Sequence, residues 1–384
     1  MSAVSSVAPS QVAPPDPPRR PRANRELYID VFRGLMALVM VQGHVFDTLL
    51  NPAARAEPWY MFQQVFHGST APGFLFASGF VAGLPRAPLS WRAMRRRARR
   101  LLFVLGVGYA LRLPYLSLWK ILNEGTPAER AAAVACDALH AIAVSQLFVL
   151  LLQRVFGRRW VWAAGLTALV VIAASPLAWH PSVGAGLPLP LAAFVNPLRA
   201  PSQFPLFPFA AFVLAGTVAG AQLGRQDSAV RRRRTLVWGG TLMAAGALLA
   251  WPLSGVVDFW GPSPAYVLLR LGGLLLLLRV VEQVTAFASR LVRPLALLGH
   301  ETLLVYVLHL LLLFGGVLGA APLLPWIGRL GFGGAALVLV LMLPVLLLAA
   351  FCWRWFKTRA PHEATLVLAF LGTVLVFELL TRPW

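Results

Sequence analysis

The sequence predicts an all-α, polytopic transmembrane helical bundle of about eleven spans, with the N-terminus in the cytoplasm and the C-terminus outside. Of its 384 residues, 58% are hydrophobic and 12% are charged, and the mean hydropathy is +0.71. Soluble domains are about 45–50% apolar and about 25% charged. Apolar stretches of roughly 20 residues recur between short charged or Pro/Gly-rich links, a pattern typical of spanning helices.

The elements follow in order from this pattern. Residues 1–25 are rich in Pro, Ala, Ser and Arg and contain no apolar core, so they predict a disordered cytoplasmic tail. Residues 26–384 are then a single transmembrane domain. Its spans are expected at 28–50, 69–86, 101–119, 135–153, 160–178, 204–223, 235–256, 263–281, 294–317, 332–352 and 362–380.

The basic residues alternate between the links and predict the orientation. Of the 34 Lys and Arg residues, 25 fall on one set of links and the N-terminal tail, six on the other set, and three inside spans. Because Lys and Arg are retained on the cytoplasmic side, this asymmetry predicts that the N-terminus is in the cytoplasm and the C-terminus is outside. The basic clusters therefore indicate topology and anionic-lipid contact, and not nucleic-acid binding.

The first span contains four ionisable residues, which are functional candidates because charges are costly inside a bilayer. Asp30, Arg33, His44 and Asp47 share one helical stripe about 100° wide. Arg33 is predicted near the cytoplasmic mouth, and His44 lies about 16 Å further along the axis. A cationic Arg there suits an anionic cytosolic donor, and a buried imidazole suits proton transfer. The simpler interpretation is an Asp30–Arg33 pair that helps set the helix, with His44 bonded to a neighbouring helix.

Further candidates lie on later segments. His67 precedes the second span and is followed by small residues, which permit close approach of a ligand or helix. Asp137 and His140 are one turn apart and form either a carboxylate-oriented base or a structural contact. Tyr306 and His309 share a face of the ninth span.

Two arginines inside spans need partners. Arg112 and Arg270 have no local counter-charge, so each requires a partner on another helix or a bound anion such as a CoA phosphate. The two cysteines, Cys136 and Cys352, are expected near opposite membrane faces and suggest neither a disulfide nor a metal site. The Pro/Gly-rich stretch 178–203 could form a lid or a re-entrant segment on the outer side.

Several segments resemble a known family. RELYIDVFRGLMALVMVQGHVF resembles the first helix of membrane-bound acyltransferases, with the Arg-Gly pair at Arg33 and Gly34 and the histidine at His44. FHGSTAPGFLFASGF, which contains His67, is similar to the second helix of bacterial relatives of heparan-alpha-glucosaminide N-acetyltransferase. Weaker similarity continues in DALHAIAVSQL, FPLFPFAAFVLAG and LLGHETLLVYVLHLLLLFG.

This resemblance implies an acyltransferase in the inner membrane. The donor would be a cytosolic acyl-CoA, with acetyl-CoA expected, used as a co-substrate with no permanently bound cofactor and no metal. The acceptor would be a glycan or other hydroxyl or amine on the outer side. His44, His67 and Asp47 are then the catalytic candidates. The candidates for binding acyl-CoA or the acceptor are Arg33, Asp30, Arg112, Arg270, His140, Tyr306 and His309.

The sequence leaves two other functions open. Buried Asp, His and Arg residues are equally natural in a transporter, as a proton or substrate relay. No repeated halves or paired broken helices are visible in the sequence, although many transporters carry them. A family member that binds glycans without catalysis is the third interpretation.

Overall fold

The computed structural model describes residues 23–84, 89–224, 226–315 and 323–382, and these ranges form helices without a β-sheet. The predicted tail lies outside the described residues up to residue 22, and the first helix begins at Ala23. The α-helices are α1 (Ala23–Leu49), α2 (Pro52–Ala56), α3 (Pro58–His67), α4 (Thr70–Gly83), α5 (Trp91–Arg112), α6 (Leu118–Asn123), α7 (Pro127–Ala133), α8 (Ala138–Phe156), α9 (Trp160–Ala178), α10 (Leu189–Val195), α11 (Leu206–Leu223), α12 (Ser228–Leu253), α13 (Pro264–Phe287), α14 (Arg293–His300), α15 (Thr302–Phe314), α16 (Phe332–Arg359) and α17 (Pro361–Thr381). Short 3₁₀ helices occupy Pro114–Leu116, Gly157–Arg159 and Leu324–Trp326.

Helices lie at all eleven positions that the sequence predicts, but fewer of them qualify as membrane spans. Within the described ranges, seven helical stretches are long and apolar enough to cross a membrane, or eight if the bent pair α14–α15 is one span. The 41-residue stretch Ala138–Ala178 contains both α8 and α9. Helix α4 has 14 residues, about 21 Å of helix, which is shorter than a hydrocarbon core of about 30 Å. Helix α5 is arginine-rich in its first half.

Small residues bring α4 and α11 into backbone contact. A Cβ added at Gly79 or Gly83 would overlap the carbonyl groups of Val213 or Thr217 on α11. Gly216 and Gly220 face the backbone of α4 in the same way. Such pairs of small residues let helix axes approach closely, which compensates for the weak hydrophobic driving force between helices in lipid. The same arrangement joins α1 to α14, where Gly34 lies against the Leu295 carbonyl.

One end of the bundle carries ion pairs between helices. Arg231 at the start of α12 binds Glu282 on α13, and Arg279 reaches the same carboxylate at 2.9 Å. The guanidinium of Arg231 also lies 5.6 Å from the centre of the Tyr28 ring on α1. These contacts join three helices at their arginine-rich ends.

A sharp break separates α14 from α15. The two helices meet at 85° around Glu301, whose side chain is 8% exposed. Both carboxylate oxygens of Glu301 accept hydrogen bonds from Lys357 on α16, at 2.7 and 2.8 Å. The Glu301–Lys357 pair therefore joins the break between α14 and α15 to α16, although 56 residues separate the two partners.

We expect Lys357→Met to lower the free energy of unfolding by about 1–3 kcal/mol, because it leaves the buried Glu301 carboxylate without its cation. Lys357 is 38% exposed, so the loss should be smaller than the 3–5 kcal/mol of fully buried pairs. Unfolding in detergent micelles measures it. Lys357→Arg should retain most of the stability, and equal unfolding of the Met variant and the wild type would contradict this role.

The stretch 178–203 is folded and held by side chains. Arg199 donates hydrogen bonds to the carbonyls of Gly184 and Ala185, and Asn196 donates to the Ala178 carbonyl at 2.7 Å. Ser202 accepts a hydrogen bond from the Cys136 backbone N–H at 2.9 Å, which joins this stretch to the start of α8. It therefore covers the end of the bundle where α8 begins.

Candidate functional site

The polar stripe of α1 ends at two separate clusters. Asp30 and Arg33 contact α14 and α15 at one end of the helix, and His44 and Asp47 contact α3 and α15 at the other. The eleven residues from Arg33 to His44 span about 16 Å of helix axis. We call the group around Asp30 and Arg33 the arginine cluster, and the group around His44 and Asp47 the histidine cluster.

The histidine cluster is centred on a pair of imidazoles from distant helices. His44 Nδ1 lies 2.8 Å from His309 Nε2, and the two rings are stacked with centroids 5.0 Å apart. His309 is fully buried, and its Nδ1 lies 2.8 Å from the Val305 carbonyl oxygen. A carbonyl only accepts, so His309 Nδ1 carries the proton and donates.

This order of hydrogen bonds assigns the tautomer of His44. When neutral His309 donates from Nδ1, its Nε2 is an acceptor, and His44 must donate from Nδ1. The lone pair of His44 is then on Nε2, which has no hydrogen-bond partner among the described residues. His44 is partly exposed. The arrangement leaves one basic nitrogen free to accept a proton.

His67 lies beside this pair and faces a carboxylate. Its Nε2 is 3.4 Å from Asp47 Oδ2, and its ring centroid is 5.6 Å from that of His44. The other oxygen of Asp47 accepts hydrogen bonds from Tyr60 at 2.8 Å and from Gln64. Asp47 therefore orients His67, and α3 in turn orients Asp47. Tyr60 and Gln64 are absent from the sequence-based candidates because α3 was not predicted as a helix.

Gly43 leaves the space that the His67 ring occupies. A Cβ at position 43 would overlap the imidazole, and His67 Nδ1 is buried with no hydrogen-bond partner among the described residues. The ring thus packs directly on the backbone of α1. Glycine is required here by close approach, and not by backbone conformation.

We expect Gly43→Ala to lower kcat by about 10²-fold, because the methyl group displaces the His67 ring, and misplacement by about 1 Å costs that much. Steady-state turnover by purified protein, in the acyl transfer that the sequence resemblance implies, measures it. Gly273→Ala on α13 is the matched control, since a Cβ there meets nothing within 4 Å. Equal activity of the two variants would show that the position of His67 does not matter.

Arg270 has partners on another helix. It donates hydrogen bonds to the Val65 carbonyl at 2.7 Å and to Ser69, and its guanidinium lies 5.4 Å from the centre of the Tyr266 ring. Val65 and Ser69 flank His67. Arg270 therefore holds the turn that carries His67, at the opposite end of α1 from Arg33, and the structure does not bring these two arginines into one anion site.

Asp137 and His140 form a helix cap. The His140 imidazole Nδ1 accepts from the Asp137 backbone N–H at 3.2 Å, while the Asp137 carboxylate accepts from the Ala138 N–H at 2.6 Å. From the sequence, the pair could be either a carboxylate-oriented base or a structural contact. The structure shows a structural contact, because the Asp137 carboxylate makes no hydrogen bond to the His140 imidazole. Tyr306 donates to Asp137 at 3.4 Å and packs against His309 with ring centroids 5.7 Å apart.

Arg112 lies near this cap and not in the arginine cluster. Its guanidinium donates to the Pro201 carbonyl at 3.2 Å, so it contacts the stretch that covers this end of the bundle. Of the seven predicted binding residues, only Asp30 and Arg33 lie in the arginine cluster. The structure places Arg112, Arg270, His140, Tyr306 and His309 toward the other end of α1.

The arginine cluster lines a cavity of about 380 Å³. Arg33 donates to the Thr302 hydroxyl at 2.7 Å and lies 3.5 Å from Asp30, whose other oxygen is 3.1 Å from His300. His300 and Thr302 lie on either side of the 85° break at Glu301, and both contact α1. The cavity is lined by Ile29, Asp30, Arg33, Val81, Leu84, Arg97 and His300. Two arginines and a histidine suit an anionic group such as phosphate.

Fold and site together define a multi-pass helical membrane protein with a histidine cluster at one end of its first long helix and a cationic cavity at the other. The sequence matches the catalytic domain of heparan-alpha-glucosaminide N-acetyltransferase over residues 25–251, which is more than half of the chain. The chain therefore belongs to this family, a family of transferases, and the family predicted from the sequence is confirmed. The matched range includes Arg33, His44 and His67, whereas His300 and His309 lie beyond it. A comparison with curated proteins finds no match.

Proposed function

We propose that the protein is an inner-membrane acyltransferase that moves an acetyl group from cytosolic acetyl-CoA to a hydroxyl or amine of a glycan on the outer side. The N-terminus would be cytoplasmic and the C-terminus outside, as the distribution of Lys and Arg favours. Residues 26–384 would act as one domain, because residues from both within and beyond the matched range form each cluster. Family membership supports the acetyl donor and the glycan acceptor.

The observation that carries the proposal is the tautomer that His309 imposes on His44. A base must present a lone pair to the proton that it removes. Hydrogen bonding from Val305 through His309 leaves that lone pair on His44 Nε2, on a partly exposed ring. His309 can also accept more of the Nδ1 proton as His44 becomes cationic, which stabilises the imidazolium.

The reaction follows from this geometry. The acceptor oxygen or nitrogen attacks the thioester carbonyl carbon, and its proton passes to His44 Nε2. The C–S bond then breaks, and the thiolate of CoA leaves and takes the proton back from His44. A thioester is an activated acyl group, so positioning and proton removal are sufficient, and acid–base assistance contributes about 10²–10⁴-fold.

The arginine cluster is proposed to hold the donor. Arg33 and Arg97 would bind the phosphates of CoA in the cavity of about 380 Å³, and the pantetheine arm would extend along α1 toward His44. The acceptor would enter from the end covered by the stretch 178–203. Asp47 would act by orienting His67 beside the acceptor.

An acyl-enzyme intermediate, if it forms, should form on His44. His67 presents Nε2 to Asp47, and its Nδ1 is buried against Gly43, so neither nitrogen is open to a thioester. Incubation with radiolabelled acetyl-CoA in the absence of acceptor separates the routes. Label retained by the wild type and lost in His44→Ala indicates a ping-pong route, and absence of label indicates direct transfer.

The test of the function itself is acceptor-dependent CoA release by purified protein with acetyl-CoA and amino sugars or oligosaccharides. Release that requires both substrates and yields an acetylated sugar supports an acetyltransferase. Solute flux in vesicles without CoA release would overturn the proposal in favour of a transporter.

A further inference from the structure

An apolar groove lies between α8 and α9, away from both clusters. Its volume is about 640 Å³, within the range of about 300–1,000 Å³ typical of ligand sites. Its walls are aromatic and aliphatic side chains that are exposed in the isolated chain, with Leu151 54% and Trp162 80% exposed. The walls include Phe148, Leu151, Val155, Phe156, Trp162 and Leu166. Side chains of this kind suit a hydrocarbon chain.

Cations lie at one end of this groove. Arg159 lines it, Arg158 precedes Arg159 in the 3₁₀ turn Gly157–Arg159, and Arg154 lies in the last turn of α8. Gly157 has a φ of 51°, in the left-handed region that favours glycine, and this allows the tight turn.

Three other basic residues at this end of the bundle already have acidic partners. Arg231 and Arg279 are held by Glu282, and Lys357 is held by Glu301. Arg154, Arg158 and Arg159 are exposed and contact no acidic side chain among the residues that the structure describes. Their charge is therefore available to an anion that lies above the apolar groove.

We propose that this groove is a binding site for an anionic phospholipid. Its acyl chains would pack on Phe148, Leu151 and Leu166, and its phosphate would bind Arg158 and Arg159. A membrane lipid joins hydrocarbon to phosphate, the same combination that the groove presents. Basic pockets at the cytoplasmic ends of spanning helices recognise such headgroups, at about fivefold in affinity for each arginine. The site is independent of the proposed acyl transfer.

Native mass spectrometry of the full chain in micelles with equal amounts of phosphatidylglycerol and phosphatidylcholine tests this site. The wild type should retain the anionic lipid preferentially. Arg158→Gln with Arg159→Gln should lower that preference by about fivefold for each arginine lost. Arg232→Gln with Arg233→Gln is the matched control, since it removes the same charge from exposed positions at the start of α12.

Three results would overturn the proposal. Equal retention of the two lipids by the wild type would show no headgroup recognition. Unchanged preference in the Arg158/Arg159 variant would place the anion elsewhere. An equal loss of lipid preference in both double variants would show that overall positive charge, and not this groove, selects the anionic lipid.

Discussion

His44→Ala should lower kcat for acetyl transfer by about 10²–10⁴-fold, with a smaller change in KM for acetyl-CoA. The variant removes the nitrogen that accepts the acceptor's proton, and assistance of this kind contributes that factor. It leaves the arginine cluster intact, about 16 Å away along α1. Steady-state CoA release by the purified variant measures both parameters.

The matched control is His362→Ala, an exposed histidine at the start of α17 that should leave kcat unchanged. The kcat of His309→Ala should lie between those of His44→Ala and His362→Ala. This variant removes the group that fixes the tautomer of His44 but leaves His44 itself in place. If His44→Ala retained wild-type kcat while folded and inserted, His44 would not be the base.

Arg33→Gln should raise KM for acetyl-CoA by about 10- to 100-fold, because it removes a charged hydrogen bond to a phosphate, worth about 1.5–3 kcal/mol. The value of kcat should change little, since Arg33 lies far from the reacting atoms. Initial rates over a range of acetyl-CoA concentrations measure the effect.

A donor without phosphates separates binding from structural damage. With an acetyl thioester of a short pantetheine analogue, wild type and Arg33→Gln should have the same KM, because Arg33 has no phosphate to bind. Arg96→Gln, an exposed arginine on α5 that does not line the cavity, is the matched control with acetyl-CoA. A raised KM for the short thioester as well would show that Arg33 acts through Asp30 and Thr302 on the fold.

The sequence predicts the helices and the stripe on α1 because both depend on local periodicity. Apolar runs place a helix at each of the eleven positions. The count of about eleven spans is not confirmed: within the described ranges α4 is short, α5 is half basic, and α8 and α9 form one apolar stretch. The prolines of FPLFPF account for the distortion at the start of α11, where Phe207, which precedes Pro208, has non-helical backbone angles.

The contacts that make the site come from far along the chain and could not be read from spacing. His44 and His309 are 265 residues apart, and no local pattern pairs them. The break at Glu301 contains no proline, and Glu301 pairs with Lys357 56 residues away, so the sequence predicts a continuous ninth span. For the same reason, the sequence predicts that Arg270 has a partner but does not identify it. One partner is the backbone carbonyl of Val65, 205 residues away.

The central claim is that His44 receives a donor from the arginine-rich side and an acceptor from the other side. Proteoliposomes with that side facing outward test it, with acetyl-CoA added outside and a glucosamine-terminated oligosaccharide trapped inside. We expect acetylated oligosaccharide in the lumen and an equal amount of free CoA outside, both lost in His44→Ala. Product that forms only when donor and acceptor are on the same side would contradict this account.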